Sequence, residues 1–201
     1  MNTLPNWHFK KAKVPTSLVD PIAKELQTLL SLYYDIDKEH NPIQISEENF
    51  DNLVKHCPTL KSVLEFSKLS DCFARIVFTI SKNINLPMHI DEYECLGDAM
   101  FCNYVLNFPV LNCNDTFTTF YDANLTSNYT TEFASESYPD AVYGRKCDET
   151  TAKEIARFDS SVPHWMNIDI PHAAEINHNK LRINSSIRFS NDIINKVLIK
   201  L

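Results

Sequence analysis

The chain is expected to be an α+β protein, with N-terminal helices backing an antiparallel β-sandwich or barrel. Three features point there. Apolar residues recur at three- and four-residue steps early in the chain, whereas from Phe73 onward short runs of β-branched and aromatic residues alternate with turn residues. Helices come first and about eight strands follow, an order that favours segregated layers over a βαβ repeat. The 201 residues, 44% hydrophobic and 22% charged, fit one domain spanning 1–201, with a helical support over 1–70 and a core over 73–190.

Residues 1–15 read as an extended lead-in anchored by Trp7 and Phe9. A helix is expected from Ser17 to about Tyr34, with Ser17 as N-cap and Pro21 in the first turn, because Leu18, Ile22, Leu26, Leu29, Leu30 and Tyr33 share one face. A second helix is expected to start at Ser46-Glu47-Glu48 and end near Cys57, and a third to cover Thr59 to Ser67. Strands are expected over 73–80, 86–91, 99–108, 117–121, 154–158, 165–170, 172–176 and 181–189. A turn over 177–180 joins the last two. The polar stretch 122–150 reads as one long loop or lid, and connections of that length tend to be functional. Residues 191–201 are expected to form a short helix or strand.

Several function classes are disfavoured by composition. Two glycines leave no room for a Gly-rich phosphate loop. A net charge of −7 weighs against a nucleic-acid partner, which needs a basic face. The six cysteines form no CxxC pair and the N-terminus has no basic-then-apolar leader, so reduced thiols in a cytoplasmic setting are expected. No apolar run approaches the ~20 residues of a membrane helix, so no membrane partner is expected.

Chemistry concentrates in two places. In a strand, His89 and Asp91 point to the same side and can reach one metal. His172 is the candidate third ligand, with His164 as the alternative. Two imidazoles and a carboxylate on one face of a metal leave positions open for a cosubstrate and dioxygen. In the last strand, Arg182, Asn184, Ser186 and Arg188 share one face, and Ile183, Ile187 and Phe189 the other. The polar face is either a solvated sheet face or the wall of a pocket, where the guanidinium groups grip a dicarboxylate. Arg182 follows His172 by ten residues, across one turn, whereas it follows His164 by eighteen. His178 is expected to be solvated, and His8, His40 and His56 to be surface residues of the helical part. Tyr93 either edges the pocket or packs. Arg145, Lys146 and Lys153 either meet an acidic substrate or line a solvated loop.

The pattern His89-x-Asp91, His172 and Arg182 resembles the Fe(II)/2-oxoglutarate-dependent dioxygenases. The resemblance implies a double-stranded β-helix (jelly-roll) core, with His89, Asp91 and His172 as iron ligands and Arg182 on the distal carboxylate of 2-oxoglutarate. It implies a hydroxylase that uses O2 and converts 2-oxoglutarate to succinate and CO2 while oxidising a C–H bond of a peptide, protein side chain or small molecule. Asp91, as a carboxylate ligand, argues against the halogenating members. The run Arg182-x-Asn184-x-Ser186-x-Arg188 is similar to the last core strand of AlkB-like nucleobase demethylases, and by that likeness Arg188 supports the metal-proximal end of the cosubstrate. The strand after His-x-Asp is similar to prolyl- and aspartyl-hydroxylase-like members, which implies that Asn103, Val105 and Asn107 line the pocket. A non-catalytic jelly-roll binding protein is the alternative from another class.

Overall fold

The computed structural model describes residues 8–35, 43–47, 50–82, 85–91, 103–129 and 145–189. Outside them lie Trp7, His40, Tyr93, Cys95 and Cys102, the middle of the polar stretch (130–144) and the terminal segment 191–201. The described elements run in the order β1 (Phe9–Lys11), α1 (Thr16–Ser31), β2 (Ile43–Glu47), α2 (Phe50–His56), α3 (Pro58–Phe66), β3 (Phe73–Lys82), β4 (Leu86–Ile90), β5 (Tyr104–Leu111), β6 (Thr116–Asp122), β7 (Leu125–Tyr129), β8 (Arg145–Cys147), β9 (Lys153–Asp159), β10 (His164–Asn167), β11 (His172–Ile176) and β12 (Leu181–Phe189).

The strands form two six-stranded sheets, β1-β10-β5-β12-β3-β2 and β7-β8-β4-β11-β6-β9. All the pairings are antiparallel. Together with the helices they give the α+β, double-stranded β-helix architecture expected. The first sheet is buried on both faces. Its outer face, with Ile76, Phe78, Ile80, Leu106, Phe108, Ile183, Ile187 and Phe189, packs on Ile22, Leu26, Leu29 and Leu30 of α1 and on Leu53, Leu60 and Leu64 of α2 and α3. Its inner face turns toward the second sheet and carries the polar residues of β12.

β12 is therefore a central strand with a dry polar face. Arg182 and Arg188 are each only 4% exposed, so the solvated reading of that face does not hold. The eight strands expected are present, with shifted ends. β5 runs on to Leu111 through Pro109, which faces an irregularity in the β5–β12 register where its missing N–H costs little.

Four further strands escaped the sequence reading. Residues 46–47, expected to open a helix, belong to β2, which pairs with β3 from Ile43↔Ile80 to Glu47↔Ile76 and covers an otherwise open edge. The lead-in contributes β1, whose Phe9 stacks on Phe158 of the other sheet at 4.4 Å. The ends of the polar stretch form β7 and β8, and β8 pairs with β4 beside His89. The loop is thus shorter than 122–150.

α1 starts at Thr16 with Pro15 at the N-cap position and no side-chain cap. Pro21 lies in the second turn; it and Ser17 are both exposed, so the Ser17 carbonyl left without its helical donor faces water. His8 precedes β1 rather than belonging to the helical part, with its ring 5.7 Å from that of Phe120. His178 is held at 2.8 Å by the Asn112 carbonyl.

A carboxylate on α1 ties the first helix to the third. Both carboxylate oxygens of Glu25 on α1 accept from the Thr59 N–H (2.9 and 3.0 Å), and Oε2 also accepts from the Leu60 N–H (3.1 Å), satisfying the first turn of α3. Glu25→Ala is expected to lower unfolding stability by about 1–2 kcal/mol, as loss of a helix cap does. Urea denaturation checks this, and an unchanged midpoint would contradict it.

Candidate metal centre

β4 and β11 are neighbours in the second sheet, and their register sets His172 directly opposite His89. Cross-strand partners point to the same face, so the two imidazoles meet, with ring centroids 4.7 Å apart. Asp91 follows the end of β4, where its backbone N–H donates to the Ile168 carbonyl at 3.1 Å. Its Oδ1 lies 3.1 Å from His89 Nε2 and 4.0 Å from His172 Nε2. The candidate ligand atoms of the three residues all lie within 4.8 Å of one another.

The surroundings prepare these atoms. His89 Nδ1 is 2.6 Å from the Pro87 carbonyl and His172 Nδ1 is 2.8 Å from that of Ile170. A carbonyl only accepts, so each Nδ1 carries a proton, and the Nε2 atoms face Asp91. Arg188 Nη2 donates to Asp91 Oδ2 at 2.7 Å, which leaves Oδ1 toward the histidines.

Burial favours the neutral acid, but the Arg188 guanidinium and the His89 contact outweigh it and hold the Asp91 carboxyl well below the usual carboxylate range. Burial also works against a charged His89, yet the hydrogen bond to Asp91 raises its pKa. Burial and the neighbouring His89 push His172 down to about 4. Two imidazoles with tethered Nδ1 atoms and one ionised oxygen form a donor set that fits a divalent metal bound by two histidines and a carboxylate.

The pocket in front of these residues is also lined by Val105, Asn107, Thr118, Met166, Arg182, Asn184, Ser186 and Arg188. Arg182 reaches it from the opposite sheet. No carboxylate pairs with Arg182 among the described residues, and its buried Nε makes no hydrogen bond. Burial lowers its pKa, but a guanidinium stays charged at neutral pH.

Asn103 stands outside the pocket wall, at the start of β5, with its amide on Asp169. Arg188 is engaged with Asp91. His164, the alternative ligand, lies on β10 in the first sheet, with Nδ1 on the Val162 carbonyl and Nε2 beside Asn107, away from the triad. Its place beside Asn107 was not legible beforehand, because nothing in the sequence shows that β10 pairs with β5.

Comparison with known proteins gives likeness of fold alone. No protein-family model matches the chain, and no curated protein matches it. Among solved structures it is similar to SnoK, described as a non-heme alpha ketoglutarate dependent carbocyclase from nogalamycin biosynthesis. That similarity has a TM-score of 0.53 at 10% identity and covers 91% of this chain and 79% of that one. HygX from Streptomyces hygroscopicus, solved with nickel and 2-oxoglutarate bound, matches with a TM-score of 0.48 at 12% identity, over 92% of this chain and 82% of that one. E. coli ycfD matches with 0.41 at 14%, over 78% of this chain and 36% of its own.

The geometry gives Arg188 the task of holding Asp91. Arg188→Met is expected to weaken Mn(II) binding by roughly 10–100-fold, as loss of an outer-sphere partner does, with circular dichroism unchanged. Calorimetric titration reads this, and wild-type affinity in the variant would contradict it.

Proposed function

We propose that this chain is an Fe(II)/2-oxoglutarate-dependent dioxygenase that hydroxylates a C–H bond of a peptide, a protein side chain or a small molecule. One observation carries the reading. A largely buried His-Asp-His cluster shares a pocket with a buried arginine from the opposite sheet that has the Cys113 thiol beside it but no carboxylate among the described residues. A buried charge without its partner costs on the order of 3–5 kcal/mol, and a scaffold has no use for that cost. An anion that also meets the metal removes it.

On this reading His89, Asp91 and His172 hold the iron, and Arg182 takes the distal carboxylate of 2-oxoglutarate in a two-pronged grip. When bound, iron supplies dioxygen activation coupled to the decarboxylation of 2-oxoglutarate to succinate and CO2, with the second oxygen atom going to the substrate. The protein's residues do the rest. Arg188 keeps Asp91 ionised and oriented. Val105, Met166 and Ile168 give the otherwise polar pocket an apolar stretch of wall that limits water near the reacting carbon. Asn107, Asn184 and Ser186 face the space between Arg182 and the metal ligands. Residues 1–201 are read as one such domain.

The likeness of fold to a protein described as alpha ketoglutarate dependent is consistent with this reading. The buried free thiols Cys57, Cys72, Cys113 and Cys147 suit a reducing, cytoplasmic setting. No described helix is long and apolar enough to cross a membrane. The second reading, an AlkB-like nucleobase demethylase, draws on the two arginines six residues apart on β12. The net charge of −7 counts against it.

Anaerobic addition of Fe(II) and 2-oxoglutarate together is expected to produce the weak visible absorption of a keto acid chelated to iron. Neither alone should do so, and His172→Ala should lose it. Well-folded wild-type protein that gives no band would contradict the proposal. Arg182→Ala is expected to weaken 2-oxoglutarate binding far more than metal binding, and unchanged cosubstrate affinity would remove Arg182 from its role.

A further inference from the structure

His164 is a buried histidine that the proposed metal site does not use. It is 1% exposed, stacked on Phe9 at 4.4 Å with an interplanar angle of 21°, and directly opposite Asn107 across the β10–β5 pair. Both side chains therefore point inward. Burial pushes its pKa down to about 4, so the ring is neutral at pH 7 and carries a single N–H.

The donors and acceptors around it can be assigned in only one direction. The Val162 carbonyl, 2.7 Å from Nδ1, can only accept, so the proton sits on Nδ1 and Nε2 is an acceptor. Asn107 must then present its NH2 group to Nε2, at 3.3 Å. That same NH2 points at the Met166 sulfur, another acceptor. The Asn107 Oδ1 is left facing Asn184, whose Nδ2 donates to it at 3.5 Å. Asn184 must in turn direct its Oδ1 elsewhere. That oxygen is buried and makes no hydrogen bond. Two positions away on the same face of β12 is Arg182, whose buried Nε–H also makes none. The chain of aligned bonds ends in an acceptor that makes no hydrogen bond, and the neighbouring side chain on that face carries a donor that makes none.

We propose that His164 is a positioning residue for the cosubstrate anchor. Through Asn107 it fixes Asn184 with its oxygen toward Arg182, and that oxygen takes the Arg182 Nε–H when ligand binds, leaving both Nη groups to face a carboxylate. Each bond in the series polarises the next, and an anchor oriented in this way loses less freedom when it closes on its ligand. This rests on the reading of Arg182 as the distal carboxylate anchor.

The test uses Mn(II)-loaded full-length protein and two probes of equal chain length, 2-oxoglutarate and 2-oxopentanoate, which lacks the distal carboxylate. His164→Phe keeps an aromatic ring against Phe9 but removes the acceptor. It is expected to raise the Kd for 2-oxoglutarate at least about tenfold while leaving 2-oxopentanoate and Mn(II) affinities unchanged. His164→Gln, which restores an acceptor oxygen, should recover part of the loss. Equal losses for both oxo acids, or none, would overturn the proposal, since a merely structural histidine does not tell the two probes apart. Independently of any variant, long-range 1H–15N correlation on wild-type protein should find the His164 proton on Nδ1. A proton on Nε2 would overturn the proposal, because Asn107 would then turn its oxygen to the ring. Wild-type protein that binds no 2-oxoglutarate would instead overturn the functional reading, and with it the role given to Arg182.

Discussion

A guanidinium held between two sheets, with no carboxylate among the described residues beside it, is the constraint on which the rest of the structure turns. Removing an ion from water costs several kcal/mol unless a partner repays it. Arg182 is kept in that position by β12, which is paired on both sides and cannot shift. The apolar residues that alternate with its polar ones are locked under α1, α2 and α3. A one-residue slip of β12 would drive Arg182 and Arg188 into the helical core and Ile183 and Ile187 into the pocket. The helices thus act on the site from a distance, by fixing which face of β12 is which.

The second sheet contributes the complementary half. His89 and His172 are brought together by strand register, and Asp91 by a backbone bond just past the end of β4. Arg188 joins the two sheets, since it projects from β12 and grips the carboxylate that follows β4. Asp91 is consequently ionised although buried, with one oxygen committed to Arg188 and the other to the histidines. β1 closes one side, with Phe9 between Phe158 of one sheet and His164 of the other. Fold and site therefore share their contacts, and the same strand pairings that build the sandwich place the ligand atoms.

What the sequence made legible follows from periodicity. The alternation in β12 shows which residues share a face, and the His-x-Asp spacing shows which side chains converge, because both depend on neighbours along one strand. Pairing between distant segments leaves no such trace. The sequence does not show β2 lying along β3, nor β8 along β4, because short polar strands such as Arg145–Cys147 read as loop until a partner is known. Glu47 looks like a helix start until the edge of β3 claims it. Arg188 is legible as a pocket residue, but its hold on Asp91 depends on the two sheets facing each other. His164 is the clearest case. As a sequence position it is a lesser copy of His172, and only the register with Asn107 separates it from the ligand set.

The claim that one pocket holds a metal and a dicarboxylate together is tested most directly by a crystal structure of the protein with Mn(II) and 2-oxoglutarate, grown without oxygen. The account predicts the metal on His89 Nε2, Asp91 Oδ1 and His172 Nε2, with the distal carboxylate of the ligand on the Arg182 guanidinium. Metal bound at other residues, or a ligand whose distal carboxylate leaves Arg182 unpaired, would contradict it.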